Sequence, residues 1–461
     1  MELISQTDTQ DAIYDPKEPK YWDRASLNRE LLRTFDICHG CRMCFNYCFS
    51  FPTLFKALDT YADGDVRKIN QTDINEIIQN CYHCKLCYVN CPYTDRDKHA
   101  FNLNFAALMQ RAVHIQAKEK GISFRDKFLQ NADLAGKLNT GPISVLVNYV
   151  FQSEILRSVI EMLLGIHKKK IMPKFHKSSF AKWFEKHKKK RTHQKEQIKH
   201  KVVLFSTCFV NFNNPEIGKD AVFVLEKNQV HVEHPKQNCC GMPGLNSGDL
   251  SFALKKIKNN IQSLLPYVRE GYKIAVINPT CSLTLKKEYI DYAGLLGKTK
   301  KEQEDWTNKA KEISEATMDI HEYLMTLKKE DAFNKDFQST PESIAYHAPC
   351  HLRAQWKGYP SRDLMKLIPK TQIGFVAECS GHNGTWSMKK EFFEKSLHCG
   401  NKAFQQLKEK NMNVISTDCP LAAIQIKQGT NSKDIPLHPI QVLAKAYKKP
   451  EEGGFPKSTS T

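Results

Sequence analysis

The sequence predicts a multidomain chain of mixed α+β and α/β class, with a helical N-terminal module followed by two repeated α/β modules with parallel-type sheets. Three observations predict this. Eight cysteines near the N-terminus fall into two runs of one spacing. The C-terminal half repeats a different cysteine pattern at a nearly constant offset. Within each repeat, apolar β-rich runs alternate with helical ones, and a cysteine closes the landmark runs. A chain of 461 residues exceeds one typical core. The pattern divides it into an N-terminal extension (1–34), a cysteine-run domain (35–135), an amphipathic and basic linker (136–200), a first repeat (201–296), a helical connector (297–340), a second repeat (341–448) and a tail (449–461).

The two N-terminal runs are Cys38, Cys41, Cys44, Cys48 and Cys81, Cys84, Cys87, Cys91, each C-x2-C-x2-C-x3-C, with Pro92 after the second. This is similar to the spacing of bacterial-type ferredoxins with two [4Fe–4S] clusters, in which the fourth cysteine of each run ligates the other cluster. The resemblance assigns Cys38, Cys41, Cys44 and Cys91 to cluster 1, and Cys81, Cys84, Cys87 and Cys48 to cluster 2. Paired CxxC units also suit zinc, but the triplet form argues against it. One departure is that Phe49-Ser50-Phe51 separates Cys48 from Pro52.

Sixteen cysteines would read as disulfides in a secreted chain, yet the polar start MELISQTDTQ lacks an apolar signal region. A reducing compartment and metal thiolates are therefore expected. The 68 basic against 50 acidic residues, net +18, point to an anionic partner. Between His167 and Lys201 lie 14 Lys/Arg and only Glu185 and Glu196, with Phe175, Phe180, Trp183 and Phe184 interleaved. In the preceding stretch 142–166, Leu156, Val159, Ile160 and Leu163 share one helical face, and Glu154, Arg157 and Glu161 lie on the other. Three charges make it a poor spanning helix. Such a helix followed by a basic, aromatic stretch suits an anionic membrane interface. It equally suits a core-packing helix and a solvated linker. No nucleic-acid motif accompanies the charge, so nucleic acid is not an expected partner.

In the C-terminal half, Cys208, Cys239-Cys240-Gly241 and Cys281 recur as Cys350, Cys379-Ser380-Gly381 and Cys419, at offsets of 142, 140 and 138 residues. The runs KVVLFSTC, KIAVINPTC, SIAYHAPC, QIGFVAEC and NVISTDC read as strands that each end at a cysteine. The cysteines thus fall at carboxyl strand ends, where open α/β sheets bind ligands. Four thiolates in the first repeat (Cys208, Cys239, Cys240, Cys281) suffice for a third cluster or a zinc ion. The second keeps Cys350, Cys379 and Cys419, an incomplete set that His347, His351 or His382 would complete. Cys399 fits neither pattern and reads as an ordinary buried thiol.

The CCG element with a cysteine before and after resembles the cysteine-rich domain of heterodisulfide reductase-type proteins. Beyond residue 35 the chain looks like the family of cysteine-rich iron–sulfur subunits found in the anaerobic glycerol-3-phosphate dehydrogenase. The stretches carrying this are CFVNFNNPEIGKD (208–220), NCCGMPG (238–244), HAPCH (347–351), GTWSMKKE (384–391), HPIQVLAKAY (438–447) and MPKFHKSSFAKWF (172–184). The chain departs from the fullest family motif, since Thr284 replaces the last CxxC cysteine of copy one, and Ser380 and Ala422 stand at cysteine positions in copy two. The resemblance implies an iron–sulfur electron-transfer subunit rather than a self-sufficient enzyme. It would pass electrons from a flavin-containing dehydrogenase partner towards membrane quinone in a respiratory chain, at the cytoplasmic face of the inner membrane. Two alternatives stay open: a heterodisulfide reductase-type thiol/disulfide oxidoreductase, and a soluble iron–sulfur redox hub. Neither CCGMPG nor SGHNG fits G-x-G-x-x-G, so dehydrogenase chemistry falls to a partner.

Overall fold

The computed structural model describes residues 5–190 and 199–456. Residues 1–4, 191–198 and 457–461, which include parts of the expected extension, basic linker and tail, lie outside the described residues.

The N-terminal unit is helical: Arg24–Cys41, Ser50–Thr60, Gln71–Asn80, Leu86–Asn90 and Phe105–Lys120. Asp23 caps the first helix by accepting from the amides of Ala25 and Ser26. Leu27, Leu31 and Phe35 of that helix join Leu54, Leu58, Leu108 and Met109 in one core. The expected extension is therefore part of this unit, and the boundary at residue 34 falls inside its first helix. Arg111 locks it there: its buried guanidinium donates to the carbonyls of Tyr21 (2.8 Å), Asp11 (2.8 Å) and Lys20 (2.7 Å) and to the Ser26 hydroxyl (2.9 Å). A buried guanidinium is tolerated because it is fully hydrogen-bonded.

The C-terminal half contains two parallel sheets. The first holds β1 (His200–Phe205), β2 (Val230–Glu233), β3 (Lys273–Val276) and β4 (Thr317–Asp319) in the order β2-β1-β3-β4. The second holds β5 (Ser343–His347), β6 (Gln372–Val376) and β7 (Val414–Thr417) in the order β6-β5-β7. The first three strands of each repeat thus take the same order, with the first strand central. The expected helical connector differs from expectation. Between its helices Lys300–Ala316 and Ile320–Lys329 it supplies β4, which pairs with β3. Three residues are too short to register as a strand in the sequence.

In β1, Val202 to Phe205 are all buried, as both-sided coverage of a parallel strand requires. Val202 and Leu204 face a core that continues into Ile344 and Tyr346 of β5 and Ile440 and Leu443 of the C-terminal helix, so the two repeats share it. Val203 and Phe205 face the opposite side, where Cys239, Cys240 and Cys281 lie.

The linker divides into two parts of opposite character. Helix Phe180–Lys190 buries Phe180 and Phe184 completely against Ile217 and Val222, with Trp183 packed alongside. These aromatics belong to the first repeat's core, so of the two readings left open by the sequence this part follows core packing and not the membrane interface. Helices Ser144–Gln152 and Glu154–Leu164 do the reverse. Val145, Leu146, Tyr149, Ile155, Val159, Met162 and Leu163 are exposed, Ile155 at 78% and Met162 at 75%. Arg157 is buried at 3% and donates to the carbonyls of His167 (2.7 Å) and Lys170 (3.2 Å). The helix presents its apolar face outward and its arginine inward, which excludes the core-packing reading. No helix among the described residues is long and apolar enough to cross a membrane.

Candidate functional site

The cysteine runs sit where the N-terminal helices break. Cys38 and Cys41 end the first helix, which stops because Arg42 adopts a left-handed conformation (φ 52°). In the second run His83 (φ 52°) and Lys85 (φ 64°) do the same. Non-glycine residues rarely take this region, and such strain concentrates at functional loops. The turns fold the thiols of each run inward.

Cys38, Cys41, Cys44 and Cys91 line one apolar cavity of about 30 Å³, walled by Phe51, Phe55 and Pro92. Burial, then the charges of Cys44, Cys91 and Cys41, raise the Cys38 thiol pKa well above its ordinary value. Cys81 is raised by burial, then by Cys48 and Cys84. Cys87 is raised by burial, then by Cys44, Cys84, Cys81 and Cys48. Cys91 thus lines the cavity of the first run, and Cys48 is the largest charge on Cys81, while Cys44 of the first run is the largest on Cys87. All sixteen cysteines are free thiols, and each group offers the four sulfurs that a cubane cluster requires. Because the thiols are raised, loading iron must displace their protons.

In the first repeat, Cys208 follows β1, Cys239 and Cys240 follow β2, and Cys281 follows β3. The four thiols line one cavity together, and Cys239 acts on Cys208, Cys240 on Cys239 and Cys281 on Cys240 electrostatically. The loop is held from below. The Cys239 amide donates to Asp133 (2.7 Å), which pairs with Lys256 (2.8 Å), and Tyr289 donates to the Cys240 carbonyl (3.1 Å). Asp133 carries no motif, and only the fold reveals it. The set fits an iron–sulfur cluster or zinc.

The second repeat does not gather its three cysteines in this way. Cys350 and Cys379 lie 3.9 Å apart and turn towards the N-terminal unit. Cys350 lines the same cavity as Cys84, and Cys379 is hydrogen-bonded to the Tyr82 hydroxyl at 3.0 Å. Cys419 turns towards the first repeat. It accepts from its own helix at Ala422 (3.4 Å), lines the cavity beside Asn278, and its charge acts on Cys281. The histidines expected to complete the set also separate. His347 uses both ring nitrogens, on Thr417 (3.0 Å) and the Glu378 carbonyl (3.0 Å). His351 likewise spends both, on Thr280 (2.9 Å) and the His83 carbonyl (3.0 Å). Of the three, His382 alone keeps a nitrogen free: Nδ1 meets Ser387 at 3.1 Å, and the buried Nε2 has no partner. Cys399, which the sequence marks as an ordinary thiol, stands under the charges of Cys379, Cys48 and Cys84, beside Tyr82. It lies mid-helix at no motif spacing, so no sequence signal points to it.

These groups meet. One cavity of about 510 Å³ is lined by Cys81 and Cys84 of the N-terminal unit, Cys208, Cys239, Cys240 and Cys281 of the first repeat, and Cys350 and Cys419 of the second. Around it the Trp386 indole donates to the Gln79 carbonyl (3.0 Å), and Asn383 to that of Tyr82. Lys85 pairs with Glu288 across the same interface.

The sequence matches the 4Fe-4S dicluster domain over residues 37–94 and the cysteine-rich domain twice, over 202–286 and 344–427. It is 27% identical over 328 residues to an anaerobic glycerol-3-phosphate dehydrogenase subunit of Escherichia coli (70% of this chain, 77% of the relative). It is 28% identical to lactate utilization protein A of Bacillus pumilus (53% and 96%), and 26% identical to a fumarate reductase (CoM/CoB) subunit of Methanothermobacter marburgensis (51% and 43%). The chain thus joins a 4Fe-4S dicluster domain to a tandem pair of cysteine-rich domains, and over 70% of its length it is similar to an anaerobic glycerol-3-phosphate dehydrogenase subunit.

Proposed function

We propose that this chain is the iron–sulfur subunit of a glycerol-3-phosphate dehydrogenase-like complex. It takes electrons from a flavin-containing partner and hands them to membrane quinone. The observation carrying this reading is the hydrogen bond between the Tyr82 hydroxyl, within the second cysteine run, and Cys379 (3.0 Å), with Cys350 a further 3.9 Å away and lining the same cavity as Cys84. It makes a sulfur path from the N-terminal unit into the cysteine-rich half. The first eight cysteines would hold two [4Fe–4S] clusters, and Cys208, Cys239, Cys240 and Cys281 a third cluster or zinc. When bound, such clusters supply one-electron carriers. The protein's part is to set ligand type, burial and hydrogen bonds to sulfur. The exposed apolar faces of helices 144–152 and 154–164, beside Lys168 and Lys169, support a peripheral seat on an anionic bilayer.

Anaerobically purified protein should contain about eight iron atoms in its N-terminal unit, two four-iron clusters, by iron, sulfide and EPR analysis. Protein lacking iron and visible charge-transfer absorbance would refute the reading. The wild type should sediment with anionic vesicles. Met162→Glu should weaken that about tenfold or more, since each buried apolar side chain contributes about 1.5–3 kcal/mol. Unchanged sedimentation would remove the membrane seat.

A thiol/disulfide oxidoreductase is the second reading, favoured by the thiol-lined cavity and by the fumarate reductase (CoM/CoB) relative. Turnover of a disulfide with reduced viologen would establish it in place of the first.

A further inference from the structure

The central cavity has a second character that its thiols do not explain. Part of its lining is thiol, and another part is charged and aromatic. At the rim stand two ion pairs, Arg125 with Glu391 (3.0 Å) and Lys389 with Asp126 (2.6 Å), all four residues lining the cavity and partly exposed. This rim is joined to the end of the outward-facing apolar helix: the Gly165 carbonyl accepts from the Lys390 amide (2.8 Å), and the His167 amide donates to the Met388 carbonyl (2.9 Å). Met162 and Leu163 lie within a turn of that junction, and Phe124 and Phe128 flank Arg125 and Asp126 on their own helix. All four are exposed. Inside, Trp386 and Phe392 supply aromatic wall. Two buried polar atoms that line the cavity have no partner, His382 Nε2 and Asn246 Oδ1.

A buried polar atom without a partner is costly, about 1–3 kcal/mol, and calls for an explanation. A ligand that supplies both an acceptor and a donor would satisfy these two. The apolar surround of the mouth selects a molecule with an apolar tail. We propose that the outer part of this cavity binds the head of a lipid-soluble quinone. His382 Nε2–H donates to a ring carbonyl, Asn246 Oδ1 accepts from the hydroxyl of the reduced form, and the tail leaves past the Arg125–Glu391 and Lys389–Asp126 rim towards helix 154–164. This places the acceptor beside Cys84, Cys240 and Cys350. It rests on the quinone reading above and adds the site.

The test uses the full, iron-loaded chain in detergent with a decyl-tailed naphthoquinone carrying an azido group, read by calorimetry and by mapping the photolabelled peptide. The label should fall within 382–391 or 240–247, and His382→Leu should weaken binding at least tenfold. Asn246→Leu removes an unpartnered atom and so leaves folding intact on that count. It should weaken binding of the reduced quinol more than of the quinone. Labelling elsewhere, or both variants binding like the wild type, overturns the site. If the wild type with its flavin partner still reduces the quinone in that case, the functional reading stands without it. A wild type that neither binds nor reduces quinone overturns both. Displacement of the label by a disulfide but not by unlabelled quinone would overturn the site in favour of a disulfide pocket.

Discussion

The two cysteine-rich repeats share a strand order and differ in what their cysteines do. In both, a central strand carries the first cysteine at its carboxyl end, and the next two strands flank it. In the first repeat four thiols line one cavity together. In the second, two thiols point to the N-terminal unit and the third to the other repeat. Strand packing maintains the fold without reference to the loops, whereas a cluster needs every ligand loop at once. Loss of two cysteine positions, at Ser380 and Ala422, leaves the sheet intact and frees the remaining thiols for other contacts.

The sharpest way to break this comparison is to remove one thiol from each repeat. Cys240→Ser should abolish the metal signal of the C-terminal half and leave the N-terminal iron, by metal analysis and EPR. Cys419→Ser should leave total iron and zinc unchanged. Equal losses would make the repeats equivalent. A finer probe is Cys350→Ser. Iron content should hold, but the EPR lines of the cluster expected on Cys84 should shift, because the altered group shares that sulfur's cavity. Unshifted lines would detach the second repeat from the electron path.

The equivalent glycines give a smaller, structural contrast. Gly241 (φ +99°) has space beside it, the nearest atom to an added Cβ being the Ala253 carbonyl oxygen at 3.4 Å. Gly381 (φ +68°) has none: an added Cβ would meet the Ser396 carbonyl oxygen at 1.8 Å. Gly241→Ala should cost about 1–3 kcal/mol of conformational strain. Gly381→Ala adds about 1–3 kcal/mol of overpacking, so its denaturation midpoint should fall about twice as far. Equal midpoints would contradict the close packing of the second loop.

Much of this was legible in the sequence. β1, β3, β5, β6 and β7 overlap the runs that spacing and β-rich composition mark, because a strand buried on both faces leaves a local apolar signature, whereas the three-residue β4 leaves none. The exchange of Cys48 and Cys91 between the runs is what the ferredoxin resemblance implies. What escaped was contact between distant segments. Asp133 under Cys239, Tyr82 on Cys379 and Cys399 beside them carry no local pattern. The aromatic, basic stretch at 180–184 misled, since interleaved Phe and Lys describe a helix with one buried face as well as a membrane-seeking one.

By itself the amino-acid order determined which residues turn into strands and which sulfurs stand a ligand's spacing apart, since both depend on neighbours a few positions away. Tertiary structure decided which way each element faces. Helix 154–164 has an apolar side in any context, but only the carbonyls of His167 and Lys170, closing on Arg157, turn that side outward. Periodicity defines two faces of a helix and is blind to which one meets the protein, because that choice belongs to the surface packed against it.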